Sequence, residues 1–442
     1  MTYFSPVAPR IPVEVSSLLA ALQFSGATSI GLQSLSGDQW LSLLHFCELS
    51  HFTLPLAQLK IAGLPEWVKE KLEQNLTDNY LRFERVKSTY REASDALQES
   101  DIEHVVLKGF TQAPYCVPDA RARQQSDLDF YILPDRTSQA REVLRSIGYE
   151  EDDKQNYSAA DHKPTMLRLG NWTWRGNHFD PEMPLSIELH FCFWNEKTSL
   201  FTIPEVEQFW LRKVKRQIDD MEASTLSTVD QVGHITLHIL RNLLARDIAI
   251  HHIYELAYFL HNHSEDVVFW SEWKQTHSAS LREKEAIALY LARCCFSCRI
   301  SVQVQEEIDR LPAVQADWLS HFGPSVCDAV FIENKDIVWL HLSLLPTGRK
   351  MFAVLRRTFL PNRIPSARSP AVVLNERKIP PRKISTLDSI RYVVMRTASY
   401  IRTSCRTMRR GFAWYVARYW LRGRSQLSAE TPPFRYRVAG TR

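Results

Sequence analysis

The spacing of apolar and polar positions changes character twice along the chain. Up to about residue 100 the apolar residues fall in helical runs: VEVSSLLAALQ, DQWLSLLHFCELSHF and the long stretch LPEWVKEKLEQNLTDNYLRFERVKSTYREASDALQES. In the last of these Trp67, Leu72, Leu76, Tyr80, Phe83 and Val86 recur at helical spacing with charges between them, which predicts one long amphipathic helix with a solvated charged face. The pattern then shortens. HVVLKG is a brief apolar run ending in glycine, while DLDFYIL and PLSIELHFCFW alternate polar and apolar positions, so three strands are predicted. Between the second and third, SQAREVLRSIGY places Ala140, Val143, Leu144 and Ile147 on one helical stripe and Gly148 at its stop. The order β, β, α, β describes an α+β protein with a small mixed sheet. Beyond it the chain returns to helical spacing, notably in DQVGHITLHILRNLLARDIAIHHIYELAYFLHNH. The expected division is an N-terminal helical region (1–100), an α/β core (101–200), a second helical region (201–348) and a tail (349–442). In the tail a proline-broken linker precedes a basic amphipathic helix around 386–424.

Composition narrows the class. A chain of 442 residues with 45% hydrophobic and 24% charged residues is globular and large enough for more than one core, which excludes disorder, collagen and coiled coil. It has no apolar run of the length that spans a bilayer, and its first residues lack the basic-then-apolar order of a secretory signal. A cytoplasmic protein, soluble or peripheral at a membrane, is expected. Eight cysteines are too sparse for a disulfide framework, and the cluster Cys294, Cys295 and Cys298 lacks a second pair at zinc-site spacing, so buried thiols are the simpler reading. The net charge of +4 hides an asymmetry. Residues 349–442 hold 22 Lys and Arg against three acidic residues, which leaves 32 basic and 47 acidic residues in 1–348. Such a tail packs on the acidic body, meets an anionic membrane surface or, as the less favoured option, binds nucleic acid.

Candidate chemistry concentrates in LKGFTQAPYCVPDARARQQSDLDFYILP. Asp127 and Asp129 lie two apart on a predicted strand and project from one face, where two carboxylates can share a divalent cation. Glu188, in SIELHF on another predicted strand, supplies a third carboxylate. Hard oxygen donors suit Mg²⁺ or Mn²⁺ carrying a nucleoside triphosphate, with the aspartates acting as ligands. A solvated strand edge is the alternative for an isolated D-x-D. In the helical region Arg246 and His251 stand at Arg-x4-His spacing, a weak signal amid several histidines that are structural or solvated in most helices.

Lys108-Gly109, Tyr115, Pro118, Arg123, SDLDFYIL, Gly148-Tyr149 and IELH together resemble a family of uncharacterised nucleotidyltransferases in the polymerase β-like superfamily, over about Val105 to Trp194. The resemblance implies that Gly109 forms the nucleotide-binding turn, that Lys108 adds a point charge to the triphosphate, and that Arg123, with Arg121 as the alternative, forks a phosphate. It also implies that His190 orients a carboxylate from the Glu188 strand. Two departures stand out: the usual Gly-Ser turn is Gly109-Phe110, and sixteen residues separate Phe110 from Asp127. The implied activity is Mg²⁺-dependent transfer of a nucleoside monophosphate from an NTP to a hydroxyl, with release of pyrophosphate. The acceptor would be a small molecule, a glycan precursor or a protein. The alternative is a catalytically degenerate nucleotide-binding or scaffold protein associated with a membrane.

Overall fold

The computed structural model describes residues 11–151, 161–168, 170–327, 331, 334–360 and 386–424. The proline-broken linker expected after residue 360 lies outside the described residues. Seven strands form one mixed sheet: β1 (Val105–Val106), β2 (Asp127–Tyr131), β3 (Glu150–Glu151), β4 (Met166–Leu167), β5 (Ser186–His190), β6 (Val214–Ile218) and β7 (Met221–Thr225). Their spatial order is β3-β4-β5-β2-β1-β7-β6. The β2–β5 and β1–β7 pairs are parallel and the other neighbours antiparallel. The α+β architecture read from the sequence is the one observed, and all three predicted strands sit adjacent at the sheet centre.

Period-2 alternation makes this sheet a partition between two cores. Leu128, Phe130, Ile187 and Leu189 face one side and pack with Phe83, Val86 and Tyr90 of the helix Glu66–Glu99 and with Leu144 of the helix Thr137–Ser146. Gly148 follows that second helix with φ +91°, the left-handed turn the sequence indicates. On the opposite side Tyr131 joins a larger core built by the helices Thr228–Ala245, Ile250–Asn262 and Ala279–Phe296. Asp127 and Asp129 share Tyr131's face of β2.

Two expectations need correction. The region 201–348 is not wholly helical, because β6 and β7 form a hairpin that extends the sheet. Its two-residue connection, Asp219-Asp220, puts Asp219 at φ +54° without the Asn-Gly or Asp-Gly pair that marks such turns, and β6 carries mostly exposed polar residues. The face of Glu66–Glu99 also differs. Trp67 and Tyr80 are exposed, whereas Asn75, Asn79 and Arg82 are buried. Burial of Asn79 and Arg82 is offset by hydrogen bonds. Asn79 Nδ2 donates to the carbonyls of Arg121 and Arg123, and the Arg82 guanidinium donates to those of Gln125, Asp180 and Met183. The helix therefore clamps the loop that delivers β2.

The tail helix spans Thr386–Arg424. One face docks on the body through buried Thr403, Ser404 and Thr407. Lys335 Nζ donates to Ser404 Oγ at 2.8 Å, Arg410 pairs with Asp336 at 2.6 Å, and the Trp414 ring meets Phe322. Its outer face stays open. Among the described residues no helix is long and apolar enough to cross a membrane.

Candidate active site

Parallel pairing of β2 with β5 sets Asp129 directly opposite Glu188 and Tyr131 opposite His190. Register alone thus gathers the carboxylates the sequence singles out. Asp129, Glu188 and His190 each offer a ligand atom within 4.8 Å of the others, an arrangement able to hold a metal ion. Asp127 lies two residues up the same face, opposite Ser186, and is not within that tight group.

Asp129 is buried and held from both sides. Lys108 Nζ lies 3.0 Å from its Oδ2, and His190 Nε2 lies 2.8 Å from its Oδ1. A carboxylate only accepts, so His190 Nε2 carries the hydrogen. Burial pushes the Asp129 acid up, but Lys108 and His190 outweigh it and hold the group well below the usual carboxylate range. Asp127 moves the other way, to about 6, through burial and the neighbouring charges of Asp129 and Glu188, partly offset by Lys108 and Arg123. The pair therefore crowds negative charge into a poorly solvated spot, which is the electrostatic condition a divalent cation relieves. Glu188 is fixed by Thr165 Oγ1, which donates to its Oε1 at 3.1 Å, and has His162 Nε2 3.8 Å from Oε2. The donor set is chiefly hard oxygen, as Mg²⁺ and Mn²⁺ require, with one imidazole at the edge.

Other sequence candidates are engaged differently than expected. Lys108 reaches Asp129 rather than standing free for a triphosphate. Gly109 has φ +73°, and a Cβ built there would fall 2.3 Å from Gln125 Nε2. The Gln125 side chain occupies the turn: Phe110 N–H donates to its Oε1 at 3.0 Å, and its Nε2 donates to the Asp127 carbonyl at 2.7 Å. The Phe110 amide of the proposed phosphate cradle is therefore capped from within. Arg123, read as a phosphate fork, instead grips buried Glu255 through Nε at 2.8 Å and Nη2 at 3.4 Å. Burial raises Glu255, but Arg123 and the hydrogen bond from His252 more than offset it, to about 2. Arg121, the alternative fork, binds Asp219 at 2.6 Å. His190 takes the orienting role through its hydrogen bond to Asp129.

The helix Thr228–Ala245 roofs this face with His234 and His238. Burial, reinforced by the nearby Lys108 charge, lowers His234 to about 3 and His238 well below its usual value, so both are neutral. Arg246 and His251 do not form a joint site: Arg246 lines a cleft with Asp161, while His251 stacks on His51, meets the tilted ring of His252 and lines another hollow. Cys294 and Cys298 are lifted by burial to about 11 and about 12, values that keep both thiols protonated. Sequence reading missed Gln125, Glu255, Asp161 and Arg241. Of these, only Gln125 lies within the informative motif, two residues before Asp127. Arg241 pairs with Asp161, whose Oδ2 lies 3.7 Å from His190 Nδ1.

The mixed sheet thus presents D-x-D on one strand and a glutamate on its parallel neighbour, an arrangement suited to metal-assisted nucleotidyl transfer. Residues 43–297 match the uncharacterised nucleotidyltransferase family, and the chain belongs to it. No curated protein and no solved structure matches the chain.

Proposed function

We propose that the protein transfers a nucleoside monophosphate from an NTP to a hydroxyl acceptor in the presence of Mg²⁺ or Mn²⁺. The observation that carries this reading is the convergence of Asp129, Glu188 and His190 beside Asp127 on one sheet face. Asp127, Asp129 and Glu188 would hold the cation, which supplies Lewis-acid charge to the phosphates. The chain's own contribution is positioning. Lys108 and His190 keep Asp129 ionised and in place, and Thr165 and His162 position Glu188. The acceptor oxygen bonds to the α-phosphorus, the α–β phosphoanhydride breaks with its electron pair leaving on pyrophosphate, and the acceptor proton passes to solvent. Incubation of a cell extract with each α-labelled NTP and Mg²⁺ compares wild type with Asp127→Ala plus Asp129→Ala. Equal labelling by the two proteins rejects catalysis.

A second reading, a nucleotide-binding scaffold without turnover, draws support from the capped Phe110 amide and from Arg123 being committed to Glu255. It predicts Mn²⁺–nucleotide binding without transfer.

The tail helix supports a peripheral membrane contact for either reading. Val394, Ile401, Met408 and Tyr415 recur every seven residues on its open face, with Phe412 71% exposed beside them. Arg391, Arg402 and Arg409 flank this stripe, a charge pattern that disfavours a second copy of the same helix and suits anionic headgroups. Flotation of the full chain with anionic vesicles is expected. Failure to float at low salt, or equal flotation with neutral vesicles, removes the membrane contact.

A further inference from the structure

Beyond Glu188 the sheet face opens into two clefts of about 610 and 430 Å³. Both are lined by His162 and Asn195, so they form one trench. The trench begins one side chain from the carboxylates. His162 Nε2 is 3.8 Å from Glu188 Oε2, and Asp161, on the trench wall, is 3.7 Å from His190. Its charge is unlike that of the surrounding body. Arg241, Arg246, Lys163 and Lys197 from the otherwise acidic residues 1–348, joined by Lys350 and Arg357 from the basic segment, line it against two carboxylates, Asp161 and Glu196. Each of those carboxylates is already matched, Asp161 by Arg241 and Glu196 by Lys350. Arg357 Nη1 donates to the Thr198 carbonyl at 3.0 Å, and neither Arg357 nor Arg246 pairs with a carboxylate among the described residues. Trp194, Phe191 and Leu200 give part of the trench an apolar wall. Cationic rims over an apolar wall at this volume describe a pocket for a small organic anion.

Position distinguishes this pocket from the nucleotide end of the site. The glycine turn at 109 and its Gln125 cap adjoin Asp127, whereas the trench adjoins Glu188 and His190 at the other end of the carboxylate row. A group-transfer site needs its two substrates on opposite sides of the reacting phosphorus. We propose that the trench seats the acceptor and that the acceptor is a small hydroxyl-bearing molecule carrying a phosphate or carboxylate. This rests on the transfer reading given above and adds the substrate class to it. The anion is held by Arg246 and Arg357, and the hydroxyl is thereby delivered toward Glu188.

The test uses the full chain with two probes, inorganic phosphate and acetate, measured by calorimetric titration at low ionic strength. Saturable binding of at least one is expected, with the tighter probe naming the anionic group. Arg246→Gln plus Arg357→Gln is expected to weaken it by about tenfold or more, the scale of one lost charge-assisted hydrogen bond. Both side chains are exposed, and an unchanged melting curve verifies folding. Affinity for a nonhydrolysable triphosphate with Mn²⁺ stays unchanged in the same variant. Absence of saturable binding of both probes, or equal binding by variant and wild type, overturns the proposal. A fall in nucleotide affinity also overturns it, because the trench would then hold the triphosphate. If wild type fails to bind Mn²⁺–nucleotide at all, the transfer reading falls separately, while the phosphate and acetate titrations still decide whether the trench binds anions.

Discussion

Substituting Gly109 tests how closely the glycine turn and Gln125 depend on each other. The residue sits at φ +73°, where a Cβ costs about 1 to 2 kcal/mol in backbone strain. That Cβ would also fall 2.3 Å from Gln125 Nε2, so the amide must leave. Its departure breaks the bonds to Phe110 N–H and the Asp127 carbonyl, worth about 1 kcal/mol each. Gly109→Ala is therefore expected to lose about 3 to 4 kcal/mol, and Gln125→Ala about 2. In the double variant the clash has no partner, and only strain and the same two lost bonds remain. The total should then be about 4 rather than about 6 kcal/mol, a coupling of about 2. Urea unfolding of the four proteins gives these values from the midpoints. Additivity within about 0.5 kcal/mol would refute the idea that the glycine exists to admit this side chain.

Three further outcomes follow from the described geometry. On the proposed transfer reading, His190→Ala lowers labelling by about 10- to 100-fold at limiting Mn²⁺ and is partly rescued by raising the metal, whereas Asp129→Asn is not rescued; equal behaviour of the two would contradict an orienting role. Arg123→Gln strands a buried carboxylate at Glu255 and costs about 3 to 5 kcal/mol, while Arg123→Met plus Glu255→Met recovers most of it, as denaturant titration would show. His277, enclosed by Asp230 and Glu285, is lifted to about 9 by those carboxylates despite its burial. Because the folded value lies above the unfolded one, its contribution of about 3 kcal/mol is complete below pH ~6.5 and disappears as pH rises through about 9. His277→Gln should remove that part of the pH dependence of unfolding, and an unchanged profile would refute the assignment.

The carboxylate site was legible because its signal is local. D-x-D alternation puts Asp127 and Asp129 on one face whatever surrounds them, and S-I-E-L-H does the same for Glu188 and His190, so one parallel pairing suffices to join them. What sequence alone left undetermined depends on partners distant in the chain. Arg123 has the chemistry of a phosphate ligand, and only the helix Ile250–Asn262 reveals that Glu255 claims it first. Asn79 and Arg82 read as part of a solvated helical face until the carbonyls of the loop before β2 are placed against them. The hairpin 214–225 leaves no mark in the sequence because its turn is Asp-Asp and its first strand is polar, so neither turn residue nor periodicity announces it.

Strand β1 takes its second neighbour from β7, joined at Val106 and Thr225 some 120 residues apart. As the chain emerges from a ribosome, that edge stays bare until the hairpin arrives. Ending translation near Trp194 would leave it unsheltered, a template for mispairing with other nascent chains. Expression trials that cut just after the motif-bearing strands should therefore give insoluble material, and soluble fragments need to run past Thr225.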